Sequence, residues 1–178
     1  MRLVRALVAL VMLSCLSAVP VAAQAVQVTP LARDGRVLVS FRLTDAFSEE
    51  VRAAIHSGMT ITFVYDVQLK RSSAFWVDRT IDAATVTATV KYDNLTRRYL
   101  VTRTQDGRTE IADSIDSEDI ARDWLTEFDK LPLFSSVGLE PNGEYYLRVR
   151  AHTTPRNASF VWPWGSDIAG LAKFTFIR

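Results

Sequence analysis

The chain has 178 residues with 21 basic and 20 acidic side chains, a formal charge of +1, so nothing in its bulk charge draws it to nucleic acid or an anionic membrane. Its single cysteine, Cys15, lies near the N-terminus. The rest of the chain therefore holds no disulfide, no thiolate metal site and no cysteine nucleophile.

The first element is read as a secretory signal over residues 1–23. Arg2 and Arg5 form a basic start, and an apolar run follows from Ala6 to about Leu16. Val21-Ala22-Ala23 and Ala23-Gln24-Ala25 then offer small residues for cleavage after 23 or 25. A retained anchor would need roughly 20 apolar residues, and Pro20 interrupts the run. A lipoprotein would use Cys15, but Met12-Leu13-Ser14 fits a lipidation box poorly, and a mass measurement separates the two. The leader carries two arginines and no acids, so its loss changes the formal charge from +1 to −1. Residues 24–178 are expected to form one β-rich domain, large enough for a core of its own and without a second apolar stretch of membrane-spanning length. The expected location is the periplasm.

Alternation with a period of two dominates the chain beyond the leader, the pattern of half-buried strands. Val37, Val39, Phe41 and Leu43 form one apolar face, and Ile61, Phe63, Tyr65, Val67 and Leu69 another. Between them Ser48 is placed to cap a helix that runs through Ser57 and stops at Gly58, with Glu49 and Glu50 favourable to its dipole. Val86, Ala88 and Val90 mark a further strand, followed by Asp93-Asn94 and a strand near Arg98 to Arg103. Asp34-Gly35 and Asp106-Gly107 are hairpin turns, because both residues of each pair tolerate positive φ. A second helix is predicted from Ser117 to Lys130 on a stripe of Ile120, Trp124, Phe128 and Leu131, widened by Leu125 and ended by Pro132. Pro141-Asn142-Gly143 introduces a strand with Tyr145, Leu147 and Val149 inward and Tyr146, Arg148, Arg150 and His152 outward. Residues 153–172 read as a loop before a last strand at Lys173 to Ile177. The predicted fold is mainly β, α+β in detail: an antiparallel sandwich or curved sheet of about seven strands with two amphipathic helices.

The runs Phe41-Arg42-Leu43-Thr44-Asp45-Ala46-Phe47, Glu50-Val51, Ile55 and Ser57-Gly58, then Phe75-Trp76, Asp78, Lys91-Tyr92-Asp93-Asn94-Leu95-Thr96 and Tyr99, together resemble a family of exported bacterial proteins known as domain of unknown function 4390. The resemblance covers nearly all of the mature chain, and the run from Lys91 to Thr96 is its most specific part. It implies a bacterial envelope protein and a link to a membrane sensor histidine kinase. It supplies no catalytic residues.

Catalytic patterns are missing from the sequence. His56 and His152 stand outside any H-E-x-x-H pattern, there is no G-x-S-x-G or S-x-x-K, and with seven glycines no phosphate-cradling loop. Asp113, Asp116, Glu118 and Asp119 suggest calcium, but an EF-hand loop needs alternating oxygens and a glycine, so acid enrichment at a helix start is favoured. No cofactor and no enzymatic activity are expected.

Two surfaces are singled out for partner binding. Tyr146, Arg148 and Arg150 put an aromatic and two cations on one strand face, suited to an anionic partner; the plain alternative is a solvated face or a guarded sheet edge. Phe75, Trp76, Trp162 and Trp164 are aromatic loop residues, either partner anchors or lids on the core. The expected function is a periplasmic binding or protein-interaction module for an envelope protein or small anionic ligand, with a link to a membrane sensor kinase. The alternatives are an envelope assembly factor acting by strand addition, and a hydrolase with an unrecognised site.

Overall fold

The computed structural model describes residues 26–72, 78–154 and 168–177. In chain order the elements are β1 (Val26–Arg33), β2 (Arg36–Leu43), α1 (Glu49–His56), β3 (Ile61–Arg71), β4 (Arg79–Asp93), β5 (Arg98–Gln105), β6 (Arg108–Ile115), α2 (Glu118–Thr126), β7 (Glu127–Ser135), β8 (Glu144–Thr154) and β9 (Ile168–Thr175). They form two antiparallel sheets. Three strands are ordered β1-β2-β7 and six are ordered β6-β5-β4-β3-β8-β9.

Strand alternation decides which face is buried. Ile61, Phe63, Tyr65, Val67 and Leu69 of β3 pair across to Val86, Ala88 and Val90 of β4 and to Leu147, Val149 and Ala151 of β8, and all are buried. The small sheet lies over this inner face with Val37, Val39, Phe41 and Leu43. Phe41, Tyr65 and Phe128 meet at the centre with ring centroids 4.5 to 5.0 Å apart, joining β2, β3 and β7. The Tyr65 hydroxyl donates to the carbonyl of Leu125 at 2.5 Å, and burial holds its pKa well above the usual tyrosine range. The fold is therefore mainly β, a two-sheet sandwich with two helices, as the alternation implied.

The turns form for the predicted reasons. Asp34-Gly35 and Asp106-Gly107 all have positive φ. Ser48 caps α1 by accepting from the Val51 amide, and Gly58 ends it at φ +85°.

Three expectations are corrected. The second helix stops at Thr126, and residues 127–135 are a strand paired with β2 rather than a helix end. The local cause is Arg103 on the inner face of β5. Its guanidinium donates to the carbonyls of Trp124 and Glu127 at 2.7 and 2.6 Å and lies over the rings of Trp124 and Phe128. It thereby caps the helix and stabilises the turn into β7. Burial lowers the Arg103 pKa to about 10, which still leaves it charged at neutral pH. Second, α2 buries Ala121 and Leu125 rather than a stripe through Ile120, which is 51% exposed. Third, within residues 153–172, Thr153 and Thr154 extend β8 and residues 168–172 belong to β9.

Candidate functional site

The outer face of the six-stranded sheet is built by the residues between those of the core. On β8 these are Tyr146, Arg148, Arg150 and His152, all half-buried. Antiparallel register sets Lys70, Gln68, Asp66 and Val64 of β3 opposite them in that order. On the other side β9 sets Lys173 opposite Tyr146 and Leu171 opposite Arg148. On β3, β8 and β9 four basic side chains, Lys70, Arg148, Arg150 and Lys173, thus share one face with two acids, Asp66 of β3 and Glu144 of β8. Residues two apart on a strand repeat every ~7 Å, which sets the spacing of the two arginines.

β8 lies between β3 and β9, so it is an interior strand. Its charges are therefore not guards on a sheet edge, which leaves a solvated strand face as the plain alternative. Arg148 and Arg150 form no ion pair with a described residue, although Asp66 stands directly opposite Arg150. Asp66 instead accepts from the Thr85 hydroxyl at 3.4 Å and lies 3.8 Å from His152 Nδ1, too far for a hydrogen bond. Four side-chain polar atoms are buried without a partner among the described residues, and three of them sit on this face: Gln68 Oε1, Arg150 Nε and His152 Nδ1. Buried polar groups are nearly always paired, so three orphans on adjacent strands mark an unsatisfied polar surface. Tyr146 is fixed at one end, donating to Asp78 Oδ2 at 2.6 Å. Burial and that bond push its pKa up to about 12.

Of the residues singled out from sequence, Tyr146, Arg148 and Arg150 share this face. Phe75, Trp76, Trp162 and Trp164 lie outside the described residues. Sequence reasoning did not connect Gln68, Lys70 or Lys173 to the basic row. Gln68 and Lys70 stood on the predicted polar face of their strand, but only the β3–β8 register brings them beside Arg148 and Tyr146.

A second polar group lies at the junction of α1, α2 and β5. His56 Nε2 and Glu118 Oε2 are 2.9 Å apart, Arg52 Nε contacts Glu118 Oε1 at 2.7 Å, and the Tyr99 hydroxyl lies 3.4 Å from His56 Nε2. Glu118 thus binds one helix to the other. Two further acids of the cluster are also engaged: Asp119 pairs with Arg122, and Asp113 accepts from the Ser114 amide. His56 serves this junction rather than only the end of its own helix. Among the described residues no group of three or more His, Cys, Asp or Glu is arranged to hold a metal ion, and no helix is long and apolar enough to cross a membrane.

Comparison with known families adds one match: the family described as "Domain of unknown function (DUF4390)" matches residues 21–158. No curated protein and no solved structure matches the chain.

Proposed function

The chain belongs to the DUF4390 family, whose function is unknown, and from its own surface we propose that it is a binding module that holds an anionic partner on the outer face of β3, β8 and β9. The observation that carries this reading is that Arg148 and Arg150, on an interior strand, form no ion pair among the described residues, beside Gln68 Oε1, Arg150 Nε and His152 Nδ1, which are buried without a described partner. A partner with two negative charges about 7 Å apart would meet both guanidinium groups, and planar guanidinium favours carboxylate or phosphate oxygens. The basic start, apolar run and small-residue site of residues 1–23 support export to the periplasm, where the partner would be an envelope protein such as a membrane sensor kinase, or a small anion. The lack of a recognisable catalytic motif supports binding over catalysis.

Photo-cross-linking from position 148 in intact cells tests this. The expected result is one envelope protein captured, with the adduct lost in Arg150→Glu and weakened at high salt. No adduct from folded, exported protein would move the assignment to a small ligand. Capture unaffected by Arg150→Glu would remove the charge-based reading.

A further inference from the structure

We infer that β6 is a strand-addition edge that takes an extended, basic segment of another polypeptide. Among the described residues the two sheets have four edge strands, β1, β7, β6 and β9, and three of these are closed or guarded. β9 and β1 cover one another: a Cβ on Gly170 would come within 2.2 Å of the Val26 carbonyl oxygen. β7 contains Pro132, which has no amide hydrogen, Lys130 with φ +49°, and two register breaks against β2. Such features keep an edge from pairing. β6 differs. It runs for eight residues without proline or lysine, its first six residues are exposed on both faces, and Ile111 is 49% exposed. Its one irregularity is the break opposite Arg103 and Thr104.

Side chains take the backbone groups near the end of this strand. The Ser114 amide donates to Asp113 Oδ1 at 2.7 Å, and the Ser114 carbonyl accepts from Arg98 at 2.6 Å. These are exposed, local contacts that an incoming strand would replace with ladder hydrogen bonds. The charge of the edge selects the occupant. Glu110 and Asp113 lie on β6 and Asp116 follows it, against Arg108 and the Arg98 guanidinium that reaches Ser114. Antiparallel pairing of two copies about Ile111 and Ala112 would set Glu110 against Asp113 twice, which is unfavourable. An extended segment alternating basic and apolar residues would instead set lysines along the face that Asp113 shares with Ile111, pairing with the acid while a lysine's aliphatic stem covers Ile111.

The test uses the full-length protein and an eight-residue peptide alternating lysine and valine, read by amide hydrogen exchange. The peptide is expected to slow exchange at Ala112 and Ser114 at least tenfold, while a glutamate–valine peptide does not. Ala112→Pro should abolish the protection with unchanged circular dichroism; if that variant fails to fold, Asp113→Lys should weaken it at least fivefold. Unchanged exchange on β6, or equal protection by the acidic peptide, overturns the inference. Concentration-dependent protection of β6 without peptide overturns the choice of occupant in favour of a second copy. The basic face of β8 lies on different strands, so charge reversal at Arg148 and Arg150 should leave this protection intact.

Discussion

Glu118 holds two side chains of one helix at once. His56 bonds to one carboxylate oxygen and Arg52 to the other, so a single side chain at the start of α2 locks the last two turns of α1 in place. The hydrogen bond to His56, and then the charge of Arg52, hold the Glu118 carboxyl below its ordinary value of 4.5. A carboxyl whose pKa is lower folded than unfolded stabilises the fold above its unfolded value, and that contribution is lost as pH falls through the folded value. Asp93, Asp129 and Glu140 shift the same way, so the wild-type profile alone does not isolate Glu118. Comparison with Glu118→Gln does. At pH 7 the variant should be less stable by roughly 0.5–1 kcal/mol, the scale of a half-exposed ion-pair network. The gap between the two proteins should close as pH falls below 4.5 in denaturant titrations. A gap that persists at low pH would show that Glu118 acts through packing instead of charge.

At the scale of elements, Gly170 shows a constraint that sequence patterning does not carry. It lies under the start of β1, where a side chain would strike the Val26 carbonyl. Gly170→Ala should therefore push β9 from β1 and cost more than about 2 kcal/mol, an overpacking effect against backbone that cannot rotate away. Urea denaturation checks it; a loss under about 0.5 kcal/mol would mean that the two strands separate freely. From sequence the residue fell inside an expected loop, because Ala169, Gly170, Leu171 and Ala172 show no clear alternation of polar and apolar side chains. The other strands were legible where one face is apolar and the other polar, as on β2, β3, β4 and β8. β7 was not. Phe128 and Leu131 continue a helical spacing from Trp124, and Pro132 reads as a helix stop. What makes the segment a strand is non-local: its pairing with the distant β2, and the Arg103 cap on the carbonyls of α2. The same limit applied to the site. The Tyr146, Arg148 and Arg150 row was visible as alternation, while its interior position and its neighbours Gln68, Lys70 and Lys173 depend on register.

At the scale of the whole molecule, β3 and β8 serve two ends with opposite faces. Inward, they carry the centre of the core, with Tyr65 reaching between the sheets to bond the Leu125 carbonyl. Outward, they carry the cations. Strand geometry separates the faces, so stability and recognition should separate too. Tyr65→Phe keeps the ring against Phe41 and Phe128 but orphans a buried carbonyl, a loss of about 1–2 kcal/mol. It should leave cross-linking from position 148 unchanged. The reversal Arg148→Glu with Arg150→Glu removes no described ion pair and touches no core atom but sets a carboxylate opposite Asp66, so its cost in stability should stay within about 1 kcal/mol. It should nevertheless abolish capture of an anionic partner and invert the dependence of any residual association on salt. Paired denaturation and cross-linking measurements on the two variants decide the matter. If the charge reversal instead destabilises the protein by more than about 2 kcal/mol, the scale of a broken buried polar network, the guanidinium groups are part of the fold and the anionic-partner reading loses its support.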